Sequence, residues 1–189
     1  AITTAGLDPE AKITIAEKSQ HLLSKVRISG GGRCNVTHRP SDIETFSRQY
    51  PRGQRFIKKI LHEFWPEDTI RWFESRNVPL KVEADGRMFP TSNTSSSIIN
   101  CLLTEAEKAG IQVITRLGVN DFKVVESESG NSFEVSFSNG TLDHFDKILI
   151  ASGGYPKKEG FEWITKHCIN IISPAPSLFT FNSPANPIC

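Results

Sequence analysis

The sequence predicts an α/β fold, a parallel sheet with crossover helices and an antiparallel β-meander set within the order. Three observations carry that expectation. Lys12-Ile13-Thr14-Ile15-Ala16-Glu17 is a short β-branched run ending on an acid, the pattern of a strand. Residues 147–151 are an unbroken Lys-Ile-Leu-Ile-Ala run that stops at Ser152-Gly153-Gly154, as strands buried on both faces of a parallel sheet do. Between these two runs lie segments of helical period and then a succession of alternating, turn-punctuated segments.

Taken in order, residues 1–6 read as the tail of a helix closed by Gly6, and Asp8-Pro9-Glu10 as turn chemistry before the first strand. Residues 25–29 form a strand-like apolar run before Gly30-Gly31-Gly32. Phe56, Ile57, Ile60, Leu61 and Phe64 recur at helical spacing and are expected in the core. Pro66-Glu67-Asp68 opens a second helix through Ile70, Trp72 and Phe73, closed near Asn77. Residues 86–92 read as an irregular segment in which Arg87 is a solvated or ion-paired surface group. A third helix, Ser96 to Ala109, is capped by Ser and Thr and ended by Gly110. Strands over 111–115, 121–127, 132–138 and 141–145, the last after Asn139-Gly140, are expected to form the meander.

The chain has 189 residues, 38% hydrophobic and 23% charged, with a formal net charge of +1, which is ordinary globular composition. No run of like charge gives a nucleic-acid or membrane footprint, and no apolar run approaches the length of a membrane span. Small molecules are the expected partners, the cytoplasm the expected address, and the oligomeric state is left open. Cys34, Cys101, Cys168 and Cys189 lie far apart without a Cys-x-x-Cys pair, which argues against a zinc site or a disulfide framework and for reduced thiols.

Two places attract a ligand. Ser29, Gly30, Gly31, Gly32, Arg33, Cys34 and Asn35 join backbone that tolerates positive φ to a rigid guanidinium fork and an amide. Such a loop suits a phosphate or a flat ring; a surface turn is the plain alternative. Glu17, at the end of its strand, matches the acid that hydrogen-bonds an adenosine ribose in a dinucleotide-binding βαβ unit. In that unit the acid follows the glycine fingerprint by about 20 residues, which places the fingerprint before Ala1. A solvated strand end explains Glu17 equally well. Cys34 is expected to be a small packing residue rather than a redox partner, and His38 an exposed loop histidine.

Residues 25–37, Lys-Val-Arg-Ile-Ser-Gly-Gly-Gly-Arg-Cys-Asn-Val-Thr, closely resemble the signature of the aminoacetone-oxidase-like or 3-dehydro-bile-acid-reductase-like NAD(P)/FAD-dependent oxidoreductases. Residues 68–74, 85–90, 150–156 and 174–181 resemble further blocks of that family, in the same order. The resemblance implies a Rossmann-like FAD-binding layer. It places the adenosine half of FAD near Glu17 and Lys18, with the adenine ring against the backbone at Val119. The flavin half falls near residues 29–35 and the turn Ala151, Ser152, Gly153 and Gly154. A small-molecule substrate and NAD(P)H are the implied further partners.

Against the family pattern, the N-terminal glycine fingerprint is missing, the loop after Gly154 is short, and the sequence stops where a second domain would follow. The expectation is an internal fragment: residues 1–177 as a partial FAD-binding domain, incomplete at both ends, and 178–189 as entry into a second domain. Such a fragment should hold FAD weakly. A nucleotide- or anion-binding module without flavin, and a non-catalytic remnant kept as an interaction surface, are the competing readings.

Overall fold

The computed structural model describes residues 1–39, 42–127, 130–155 and 158–172, and it divides into two compact units, Ala1–Arg116 and Leu117–Cys189. The expected domain boundary at residues 177 and 178 and the motif at 174–181 lie outside the described residues.

In the first unit, α1 (Ile2–Leu7) leads to β1 (Thr14–Glu17). Gly6 is not the closing residue expected, because the helix runs on to Leu7 and ends on an extended Asp8 that begins the turn. β1 pairs in parallel with β5 (Gln112–Thr115), Thr14 facing Gln112 and Glu17 facing Thr115. β5 was expected in the meander. It joins the parallel sheet because its backbone continues the ladder of β1, the Gln112 N–H donating to the Ile13 carbonyl at 2.9 Å.

The crossover between these two strands carries most of the unit. α2 (Ser24–Gly32) replaces the strand-like run expected over residues 25–29, and a second sheet of order β2-β4-β3 lies on the way. Its strands are β2 (Thr37–His38), β3 (Leu80–Val82) and β4 (Arg87–Pro90). Residues 87–90 therefore form a strand and not the irregular segment expected. Gly86, at φ +85°, closes a tight β3–β4 turn in which the Glu83 N–H donates to the Arg87 carbonyl at 2.8 Å. With the turn made, Met88, Phe89 and Pro90 are carried into the interior.

α3 (Ile43–Ser47) starts on Asp42, whose carboxylate accepts the Thr45 N–H at 2.7 Å, and packs with α4 (Gln54–Glu63). The helix expected over residues 56–64 is present, but its stripe is not core: Phe56 is 71% exposed and Ile60 42%, while Leu61 is buried. Spacing specifies that a face is apolar; it does not specify what covers it. In α5 (Pro66–Glu74), Asp68 accepts the Trp65 N–H at 2.7 Å, and that bond holds its carboxyl below the usual range. α6 (Ser95–Lys108) begins at Thr94 and ends before Gly110, at φ +67°.

The core joins these pieces. Cys34, Phe73, Val78, Ile98 and Cys101 form one buried cluster, with Val26, Val36, Trp72, Leu80 and Leu102 packed against it. Cys34 is thus a packing residue, and burial pushes the Cys101 thiol up. Cys34, Cys101 and Cys168 are free thiols.

The second unit holds the antiparallel meander β6 (Val119–Ser127), β7 (Gly130–Phe137) and β8 (Leu142–Phe145). Gly140 takes φ +84° in the expected Asn139-Gly140 turn. A 3₁₀ turn (Lys158–Phe161) and α7 (Glu162–Thr165) follow. His167 stacks on Phe122 at 3.9 Å and Trp163 meets it edge-on at 6.4 Å. Asp121 accepts from Lys166 at 2.6 Å and from His167 Nε2 at 2.8 Å. Partial burial pushes the Asp121 carboxyl up, but these two bonds, together with the Phe122 N–H that also donates to it at 2.8 Å and the Lys166 charge, outweigh it and hold the group at about 2.

Residues 147–154 depart furthest from expectation. They belong to no strand, and Leu149 is 86% exposed. An apolar run becomes a strand only where a neighbour supplies hydrogen-bond partners; among the described residues this run has none.

Candidate functional site

Glu17 stands at the C-terminal end of β1, in register with the end of β5. Ligands of open α/β sheets gather at that end of parallel strands. Glu17 Oε1 accepts the Ser19 N–H at 2.7 Å, Ser19 Oγ donates to the His21 carbonyl at 2.8 Å, and the Arg116 N–H donates to the Ser19 carbonyl at 3.0 Å. The turn after β1 is thereby tied to the residue after β5. Glu17 Oε2 has no hydrogen-bond partner among the described residues, so the half-buried carboxylate keeps acceptor capacity. Lys18 is exposed beside it.

The triple glycine lies on the last turn of α2, where regular helix has stopped. Ser29 is extended at ψ 147°, and Gly30, Gly31 and Gly32 take φ of +55°, +68° and +84°. Cys34 follows at φ +64°, a conformation that costs a residue with a Cβ about 1 kcal/mol or more. The loop closes on itself through the Cys34 N–H and the Ser29 carbonyl at 2.9 Å. Upstream, Ser95 Oγ at the start of α6 donates to the Arg27 carbonyl at 2.9 Å. With its NH₂ turned inward, the Asn35 amide donates to the carbonyls of Thr37 and Met88, at 2.8 and 3.2 Å.

The glycines differ in what surrounds them. A Cβ on Gly30 would stand 2.8 Å from the Phe89 ring and 2.9 Å from the Asn35 nitrogen, whereas one on Gly31 would meet nothing within 4 Å. Gly30 therefore serves packing. Gly31 presents bare backbone to open space, the geometry a flat ligand needs.

Arg33 is engaged by protein. Its Nη1 donates to Glu83 Oε1 at 2.5 Å, and its guanidinium covers the Phe89 ring at 4.0 Å. Arg87 pairs with Asp85 at 2.6 Å and with Glu83 at 3.6 Å, the ion-paired surface role expected of it. The Arg87 backbone N–H holds the Asp85 carboxyl below the usual range. His38 is exposed, and its Nε2 lies 2.8 Å from the Asp85 carbonyl, a contact that requires the proton on Nε2.

The remaining expected residues belong to the second unit. Val119 opens β6 opposite Phe137, and the register shifts between it and Asp121. Its neighbour Gly118 exchanges hydrogen bonds with Ser138, donating to the hydroxyl at 3.0 Å and accepting the Ser138 N–H at 2.8 Å. Ala151, Ser152, Gly153 and Gly154 are exposed, Gly153 has φ +74°, and a Cβ on Gly154 would meet nothing within 4 Å.

The structure thus brings residues 29–35 together with Glu83 and Phe89, two partners that sequence reasoning did not select as site residues. Glu83, four residues before Arg87, left a trace as an i,i+4 charge pair; Phe89 stood out only within the 85–90 family block, because an aromatic in a three-residue apolar run carries no period.

Residues 1–173 match the HI0933-like protein Rossmann domain. The chain is 25% identical to the 3-dehydro-bile acid delta(4,6)-reductase of Clostridium scindens over 158 residues, 84% of this chain and 36% of the relative. It is 28% identical to the ribosomal RNA dihydrouridine synthase of Escherichia coli over 130 residues, 69% of this chain and 30% of the relative. With the synthase of the same name from Haemophilus influenzae it shares 22% identity over 175 residues, 89% of this chain and 42% of the relative. The chain therefore spans about a third to two fifths of the length of these relatives.

Proposed function

The chain belongs to the HI0933-like protein Rossmann domain family, and from that premise we propose that it is the cofactor-binding part of a flavin-dependent oxidoreductase that takes FAD. The observation that carries the reading is Glu17: an acid at the C-terminal end of a parallel strand, with one oxygen held by the turn and the other left to accept a ribose hydroxyl. The rest of the candidate set fits in part. Gly31 and Gly154 offer open backbone, while the space over Gly30 is filled by Phe89 and Asn35. The assignment of Lys18, Ser29, Gly30, Gly31, Gly32, Arg33, Cys34, Asn35, Val119, Ala151, Ser152, Gly153 and Gly154 to the cofactor rests on the family resemblance.

Bound flavin supplies hydride and electron transfer. The chain's own residues would hold it, Glu17 at the adenosine end and the 29–35 loop beside the flavin end. The relatives' names, a bile-acid delta(4,6)-reductase and two dihydrouridine synthases, share addition of hydrogen across a carbon–carbon double bond. We carry that reaction class to this chain, with NAD(P)H as the hydride source. The net charge of +1 favours a small molecule over RNA as substrate. Among the described residues no helix is long and apolar enough to cross a membrane, and free thiols suit the cytoplasm, where we place it. Residues 1–177 as a partial FAD-binding domain, with 178–189 entering a second one, completes the reading.

The test is an FAD titration followed by flavin fluorescence, run on the chain and on Glu17→Ala. Saturable binding, too weak to survive purification and weakened further in the variant, supports the reading. Absence of saturation, or equal binding by both proteins, refutes it.

A further inference from the structure

We propose that Glu83 is a positioning residue for the triple-glycine loop and, on the flavin reading above, for the cofactor that the loop faces. Within five residues the loop contains four positions of high freedom or strain, three glycines and then, after Arg33, the left-handed Cys34. Backbone of that kind does not hold its own shape. Its inner side rests on Phe89, which is fully buried and stands 2.8 Å from where a Gly30 Cβ would be. Its exit is set by Arg33, the residue that follows Gly32.

Arg33 is held by two contacts at once. Its guanidinium lies over the Phe89 ring at 4.0 Å and its Nη1 reaches Glu83 Oε1 at 2.5 Å. Glu83 engages a second guanidinium with its other oxygen, Oε2 lying 3.6 Å from Arg87 Nη2, and Arg87 sits 5.5 Å from the same ring. One carboxylate therefore pairs with two cations that both lie over one aromatic ring. Glu83 is itself immobilised by the β3–β4 turn, its N–H donating to the Arg87 carbonyl and its carbonyl accepting the Gly86 N–H, each at 2.8 Å. The Arg33–Glu83 pair is only about one third exposed, 34% and 28%, so solvent screens it incompletely. Without Glu83, Arg33 keeps its charge but loses the partner that fixes its direction, and the loop exit loses its anchor.

The experiment uses Glu83→Gln, which keeps shape and removes charge, and Arg33→Lys, which keeps charge and removes the fork and the stacked plane. Amide hydrogen exchange on the protein without added ligand is measured over residues 29–35 and over β6–β8, which has no part in the clamp. FAD affinity is measured by fluorescence titration. The expected result is faster exchange confined to the loop and about tenfold weaker FAD binding in each variant, with the double variant no worse than either single one because both break the same clamp. Unchanged loop exchange in Glu83→Gln overturns the positioning role whatever happens to FAD. Faster exchange with unchanged or tighter FAD binding overturns its extension to the cofactor. Failure of the unmodified chain to bind FAD overturns the flavin reading instead, and the loop exchange still decides the clamp.

Discussion

Adjacent glycines with opposite surroundings permit a sharp test of what the triple glycine is for. Gly30→Ala and Gly31→Ala both force a Cβ onto left-handed backbone, at φ +55° and +68°, a cost of about 1–2 kcal/mol each. Only the first also drives that Cβ to 2.8 Å from the Phe89 ring and 2.9 Å from the Asn35 nitrogen. Phe89 is fully buried and covered by the Arg33 guanidinium, so it has no room to yield, and overpacking adds about 1–3 kcal/mol. Gly30→Ala should therefore cost about 2–5 kcal/mol and Gly31→Ala about 1–2 kcal/mol. Urea unfolding reads the difference through Trp72, which packs against the first unit's core. FAD titration reverses the order when Gly31→Val is included: its side chain enters open space where the ligand is proposed to lie, so affinity falls further than stability. Equal stability losses at positions 30 and 31 would refute the packing assignment, and undiminished FAD binding by Gly31→Val would refute the ligand-facing one.

Further outcomes follow from the same geometry. Phe89→Ala, which empties a fully buried site beneath the loop, should cost about 3–5 kcal/mol in chemical denaturation; a loss under about 1 kcal/mol would mean the ring is not the loop's support. Phe56→Ser, at a position 71% exposed, should change stability by less than about 0.5 kcal/mol, and a large loss in the same assay would return α4 to the core. Asp121 has a folded carboxyl at about 2, below its ordinary 3.8; a depressed acid stabilises the folded state above its unfolded pKa and stops doing so as pH falls. The second unit should accordingly lose about 1 kcal/mol, discounted for a side chain one third exposed, between pH 3.8 and about 2. Asp121→Asn should remove that pH dependence from Trp163 fluorescence, and an unchanged acid transition would exclude the Lys166–Asp121–His167 contact as its source.

Local chemistry made part of this protein readable from its sequence. Residues 14–17 open on β-branched Thr14 and Ile15 and end on an acid, Pro66 and Asp68 open a helix, Gly110 closes one, and Asn139-Gly140 turns a hairpin; each depends only on φ, ψ and near neighbours, and each stands in the structure. The need for positive φ at residues 30–32 was legible for the same reason. Pairing was not. β5 carries the same alternation as the meander strands yet joins β1 from 98 residues away, measured from Thr14 to Gln112, because register belongs to two strands at once. Residues 147–151 have the composition of a buried strand and no strand to pair with among the described residues, and the apolar stripe of α4 has no cover over Phe56. In the loop, sequence supplied glycines and an arginine, but only tertiary contact made Gly30 a packing position, Gly31 an open one and Arg33 a clamp on Phe89 and Glu83. A residue's type fixes what it can bond; its role follows from which distant residue the fold brings within 4 Å.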